Sequence, residues 1–167
     1  MSGHLDIDLS IMSNDWEGAL PEVASLAQRA ARVTWASKKL EYAVEVSLVL
    51  SDDANVQRLN AEHRGRNRAT NVLSFPMQER MEPDGPLHLG DIVLSYEMVA
   101  HEAARDRKSM DSHLSHLVVH GFLHLLGHGH SNELEAAEME GIEIAIMSSL
   151  GYPNPYTAPM VWRSSKG

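Results

Sequence analysis

The chain has 167 residues, with 14 lysines and arginines against 23 aspartates and glutamates, a formal net charge of −9, and 43% hydrophobic residues. That length suits one domain with a proper core, and the acidic balance argues against wrapping nucleic acid non-specifically over the whole surface. There is no cysteine, which excludes disulfide frameworks and thiolate metal sites and leaves any metal to His, Asp or Glu. No apolar run reaches the about 20 residues that span a bilayer. The first residues lack the basic-then-apolar order of a secretory leader, so the expectation is a cytoplasmic protein without a membrane partner.

In chain order, residues 5–12 alternate apolar and polar, the period of a half-buried strand. From Pro21 to Trp35 the residues Val23, Leu26, Ala27, Ala30, Ala31 and Val33 recur at helical spacing, with Pro21 suited to a first turn. Residues 42–50 read as a second strand, and Ser51-Asp52-Asp53 offers caps for a short helix to about His63. Thr70 to Phe75 reads as a third strand ending at Pro76, residues 77–88 as a loop holding Pro83, Gly85 and Pro86, and Gly90 to Ser95 as a fourth strand. Asp91 is read as a strand-edge residue rather than a site carboxylate. A polar helix is expected from Glu97 to about Arg107, and a second, capped by Asp111 or Ser112, runs to Leu126. Asn132 and Glu135 have the spacing of a capping box. They open a last helix to Leu150 with Leu134, Ala137, Gly141, Ile142, Ala145 and Ile146 as its apolar stripe. The whole predicts an α+β fold: one domain over residues 1–152 with a four-stranded sheet and five to six helices, then a C-terminal tail over 153–167.

Two stretches carry chemistry. His63-Arg64-Gly65-Arg66-Asn67-Arg68 holds three arginines and no acid, and guanidinium groups suit forked contacts with phosphate oxygens, so Arg64, Arg66 and Arg68 are candidate substrate-binding residues. His120-Gly121-Phe122-Leu123-His124-Leu125-Leu126-Gly127-His128-Gly129-His130 places His120 and His124 one helical turn apart on one face. Gly127 ends the helix, and His130 folds back as a third ligand. Three neutral imidazoles leave the fourth tetrahedral position of one zinc ion open for water, the pattern of a catalytic site. The register is that of the metzincin signature H-E-x-x-H-x-x-G-x-x-H, except that Gly121 stands at the general-base glutamate. The helix is therefore zincin-like without the proteolytic base. His128 reads as a turn residue. His113 and His116, which extend the histidine stripe toward the helix start, read as structural polar residues.

Taken together, the His120–His130 motif, Thr70-Asn71-Val72-Leu73-Ser74-Phe75-Pro76 and Leu89-Gly90-Asp91-Ile92-Val93 resemble the YbeY-type bacterial endoribonucleases, or rRNA maturation factors, over about Leu50 to Tyr156. The resemblance implies a small mixed sheet with helices packed around it. It also implies a zinc-dependent, single-strand-specific endoribonuclease that works in 3′-end maturation of small-subunit 16S rRNA and in ribosome quality control. The partners would be ribosomal RNA together with ribosomal or assembly proteins. By matching positions, His120, His124 and His130 would hold the zinc, His120 and Arg64 would be the catalytic residues, and Arg64 would be the family's functional arginine. The chain departs from the family pattern at Gly129 and Asn67, where aspartates are usual, and at Ala69, where proline is usual. Two alternatives stay open: a non-catalytic ribosome assembly factor with a structural metal, and a zinc peptidase using Glu133 or Glu135 as base.

Overall fold

Alternation of Leu5, Ile7, Leu9 and Ile11 with polar residues produces strand β1, Leu5–Ile11, in a computed structural model that describes residues 3–80 and 82–157. Strand β2, Val44–Ser51, turns Val44, Val46, Leu48 and Leu50 into the core and lies parallel to β1, from Leu5 against Val44 to Ile11 against Leu50. Strand β4, Leu87–Ser95, is parallel to β2, and strand β3, Val72–Arg80, is antiparallel to β4, giving a mixed sheet of order β1-β2-β4-β3. Among the described residues, six helices pack around it: α1 (Asp15–Ala19), α2 (Val23–Lys38), α3 (Asp53–Arg64), α4 (Tyr96–Arg105), α5 (Met110–Leu125) and α6 (Glu133–Ser149). The α+β architecture with four strands agrees with the expectation from the sequence. Among the described residues, no helix is long and apolar enough to cross a membrane.

The core lies between one sheet face and the central helix α5. Leu48, Leu50, Ile92 and Leu94 of the sheet meet Leu114, Phe122 and Leu123 of α5, with Ala27, Ala30 and Ala31 of α2 closing the layer. Those alanines lack bulk, which lets α2 come close. The opposite sheet face carries a smaller cluster, Val56 of α3 with Leu73 and Val93.

Three local expectations are corrected and one helix is added. Strand β3 does not stop at Pro76 but runs on to Arg80, and β4 begins at Leu87, so most of the expected 77–88 loop is a hairpin. Strand β3 is an edge strand, where a residue without an N–H is tolerated, and the register shift between Pro76 and Glu79 absorbs the irregularity. Helix α1 escapes periodicity because its five residues bury only Trp16, whose indole donates to the Ser51 carbonyl at 2.9 Å. Helix α5 is capped by Ser109, whose hydroxyl accepts from the Ser112 N–H at 3.3 Å, rather than by Asp111 or Ser112. Helix α6 does start at Asn132, which accepts from the Glu135 N–H at 2.8 Å, but the Glu135 side chain accepts from Ser131 instead of completing the box. Its buried phase is Met139, Glu143, Ile146 and Met147, while Leu134 is 83% exposed. Most of the expected tail, residues 158–167, lies outside the described residues.

Gly90 fixes the pairing of β3 with β4. It has φ 149°, and a Cβ there would stand 2.3 Å from the Phe75 carbonyl oxygen. Gly90→Ala is expected to lower unfolding free energy by at least about 2 kcal/mol, combining backbone strain with a backbone clash. Denaturant titration checks this; a variant as stable as the parent would mean that β3 can leave this register freely.

Candidate active site

His120 and His124, one turn apart on α5, bring their Nε2 atoms to 3.1 Å. Two nitrogens bound tetrahedrally at about 2.0–2.1 Å stand about 3.3 Å apart, so the pair is already close to ligand geometry. Gly127, at φ 98°, reverses the chain after α5. The His130 ring returns to within 5.8 Å of the His120 ring and 5.0 Å of the His124 ring, centroid to centroid. One ligand atom from each of the three lies within 4.8 Å of the others. The returning loop is held by the His128 N–H on the Leu123 carbonyl at 3.0 Å and by Ser131, whose N–H and hydroxyl both donate to Glu135. Burial, followed by the neighbouring His120 and His130, pushes His124 down to about 4. It is therefore neutral at pH 7 and has a ligand lone pair available. Three imidazoles, two half-buried and one exposed, fit a zinc ion with an open position.

Behind this trio sits a residue that the sequence reading missed. Glu143 of α6 is 1% exposed, and its Oε2 lies 2.8 Å from Nε2 of His116 and 2.9 Å from Nδ1 of His120. The Tyr156 hydroxyl donates to its other oxygen at 2.6 Å. Burial by itself would raise the Glu143 carboxyl, but the three hydrogen bonds outweigh it and bring the group from its ordinary 4.5 to about 2. Burial and the carboxylate raise Tyr156, which stays a neutral donor. With Nδ1–H of His120 committed to the carboxylate, its Nε2 lone pair is left facing His124 and His130. His116, His120 and Glu143 also form a cluster with metal-ligand spacing. Their separations are hydrogen-bond lengths, so we assign Glu143 the orientation of His120. One signal for it existed in sequence: Glu143 lies four residues after Met139 and four before Met147, inside the buried phase of α6.

The rest of the histidine stripe is structurally engaged. Nε2 of His113 pairs with Glu102 of α4 at 2.8 Å, and Glu102 also accepts from the Asn71 amide at 3.0 Å. Burial pushes His113 down despite Glu102. His128 stands outside the trio, with its Nε2 2.6 Å from the Lys38 ammonium nitrogen. Asp91 is 3.5 Å from His88 and lines a different cavity. Gly121 faces the sheet: a Cβ there would meet Ile92 Cγ2 at 2.9 Å and Ser74 Oγ at 3.1 Å. A glutamate has no room at that position.

A cavity of about 600 Å³ brings His120, His124 and His130 together with Arg64, Arg66 and Arg68. Arg64 ends α3, donates from Nη2 to the Ser74 carbonyl at 2.6 Å and lies 5.5 Å from the Phe75 ring centroid. Ser74 donates in turn from its hydroxyl to the Gly121 carbonyl at 3.2 Å, so Arg64 is tied through one residue to the turn beside His120. The arginine loop is fixed by α3: Asn60 donates to the Arg68 carbonyl at 2.9 Å, and Gln57 donates to the Asn67 side chain at 3.1 Å. Pro155 and Tyr156, inside the segment read as a tail, also line the cavity.

Residues 10–151 match the family model for Endoribonuclease YbeY. The chain is 45% identical over 151 residues to the Endoribonuclease YbeY of Chelativorans sp. (strain BNC1), covering 90% of this chain and 92% of that protein. It is 47% identical over 162 residues to the one of Rhizobium johnstonii, covering 91% and 93%. In fold it is similar to the solution structure of TM1509 from Thermotoga maritima, with a TM-score of 0.54 at 19% identity over 90% of this chain and 99% of that one.

The depressed Glu143 carboxyl sets a pH dependence for the metal-free protein. Its folded value, about 2, lies below its ordinary 4.5, so the charged form favours the folded state above pH 4.5. That contribution is lost as pH falls toward 2. Glu143→Gln is expected to be less stable than the parent at pH 7, with the gap narrowing steadily between those pH values. Chemical denaturation across that range measures it, and a gap independent of pH would refute the shift.

Proposed function

Because the chain belongs to the Endoribonuclease YbeY family, we propose that it is a zinc-dependent endoribonuclease that cuts single-stranded RNA. Its substrate is the precursor of small-subunit 16S rRNA, matured at the 3′ end, and it serves ribosome quality control in the cytoplasm beside ribosomal or assembly proteins. One observation carries this reading: a three-imidazole cluster and three arginines line a single cavity. A phosphodiester needs both, since its hydrolysis gathers negative charge on non-bridging oxygens.

In this reading His120, His124 and His130 hold one zinc ion through ring nitrogens. When bound, zinc supplies Lewis acidity toward a phosphoryl oxygen and a water of lowered pKa. Arg64 offers a planar fork to the phosphate oxygens and offsets the charge that builds on them. Arg66 and Arg68 extend the cationic wall for neighbouring phosphates. Glu143 keeps the Nδ1 proton of His120 engaged, so the ligand nitrogen does not rotate away. A concave site of this size suits bases splayed from a single strand. The peptidase alternative has little support: neither Glu133 nor Glu135 lines the histidine cavity, and Glu135 accepts from Ser131.

The test is cleavage of a small-subunit rRNA precursor with an unprocessed 3′ end by the zinc-loaded parent, Arg64→Ala and His124→Ala proteins, purified identically. Arg64→Ala is expected to retain its metal and to lose on the order of 3–4 kcal/mol of transition-state stabilisation, a hundredfold or more in rate. His124→Ala is expected to lose both metal and cleavage. Equal cutting by all three would expose a contaminating nuclease. A parent with one metal per chain that never turns over, even beside ribosomal subunits, would favour the assembly-factor alternative.

A further inference from the structure

We propose that the ring of Tyr156 is a nucleobase-stacking subsite, taking a base next to the phosphate held at the histidine centre. This rests on the endoribonuclease reading above and specifies how its RNA is gripped. The large hydrophobic side chains exposed among the described residues are Met12, Tyr42, Met77, Leu134 and Tyr156, and of these Tyr156 alone lines the histidine cavity. Tyr156 is 46% exposed although its hydroxyl is turned inward onto Glu143 at 2.6 Å. With the hydroxyl engaged, the exposure falls on the rest of the residue, and the ring is the part of it that suits a base.

The ring is also held still. It stands edge-on to His116, with centroids 5.4 Å apart and planes at 85°. The backbone before it is pinned by Lys108, whose ammonium donates to the Pro155 carbonyl at 2.5 Å, and its own N–H donates to the Asn154 side chain at 2.8 Å. An aromatic ring fixed at its hydroxyl end loses little freedom when a base settles on it, so the contact is preorganised. Every base has a π-face, and stacking of this kind grips single strands without reading sequence. The same carboxylate that receives the tyrosine hydroxyl receives Nδ1 of His120. A phosphate at the histidines and a base on the ring therefore belong to the same or an adjacent nucleotide.

Two variants separate the ring from the hydroxyl. Tyr156→Phe and Tyr156→Leu both lose the bond to Glu143, and only the second loses the aromatic face. Each is zinc-loaded and checked for one metal per chain and for a cooperative thermal transition. Equilibrium binding is then measured to a short single-stranded oligoribonucleotide, confirmed intact on a gel, and to the same strand carrying abasic sites. Tyr156→Leu should bind the base-bearing strand about tenfold or more weakly than Tyr156→Phe, since both lack the hydroxyl and only the ring differs. The gap between them should vanish on the abasic strand. Equal binding by the two variants, in a parent that binds and cuts RNA, overturns the subsite and leaves the enzyme reading standing. A gap that persists without bases overturns it as well, because packing rather than stacking would then be the cause. A zinc-loaded parent that binds neither strand overturns the subsite and the enzyme reading together.

Discussion

A single buried carboxylate ties the site together. Glu143 sits 1% exposed on a helix face otherwise made of Met139, Ile146 and Met147. An unpaired charge there would cost several kcal/mol after relaxation, and would be expelled or neutralised. It remains because three donors from two other segments converge on it: His116 and His120 of α5, and Tyr156 beyond the end of α6. The consequence runs both ways. The donors keep the carboxylate ionised, and the carboxylate decides which nitrogen of His120 carries a proton. Removing it would free the ring to turn and would leave buried imidazole N–H groups without acceptors. The orientation of His120 thus depends on the packing of α6 against α5.

Helix α5 works as a distributor. Its Gly121 side lies against Ile92 and Ser74, so close that even a Cβ would have to displace Ile92. Its histidine side meets carboxylates from two flanking helices, Glu102 of α4 at His113 and Glu143 of α6 at His116 and His120. Close approach on the first side brings Ser74 within reach of both the Gly121 carbonyl and, through its own carbonyl, the Arg64 guanidinium. The arginine and the histidines are therefore positioned by one short chain of contacts, not by two independent loops. The same closeness removes the place where a peptidase would put its base. One glycine thereby connects the packing of the helix on the sheet with the chemistry the site is able to perform.

What was legible in the sequence was what is local. Strands β1 and β2 follow from alternation, and α5 with His120, His124 and His130 follows from helical spacing plus the turn at Gly127, because each rests on neighbours within a few residues. Glu143 is only faintly signalled by its spacing from Met139 and Met147, because the more evident apolar stripe of α6 takes the phase that exposes Leu134 and half-exposes Ile142. The true phase is set by partners 23 and 27 residues away along the chain. The β3–β4 hairpin was hidden for a similar reason. Pro76 reads as the end of one strand and Gly90 as the start of the next, yet they lie opposite each other inside the ladder. Tyr156 sits in a short proline-containing segment whose composition says tail, and only the contact with Glu143 shows that it belongs to the cavity.

The acidic composition and the arginine-lined cavity are reconciled by distance. A net charge of −9 repels a polyanion at long range, but at physiological salt the screening length is about 8 Å. Arg64, Arg66 and Arg68 line the cavity itself, together with Glu102 and Asp106, whereas carboxylates on the far surface are screened from it. Under the proposed function, such a chain has little general affinity for duplex backbones, whose binding is built from many simple ion contacts. It holds RNA where one strand can enter the cavity and engage several short-range contacts together. On that proposal, selectivity for single strands would come from shape and screening acting jointly.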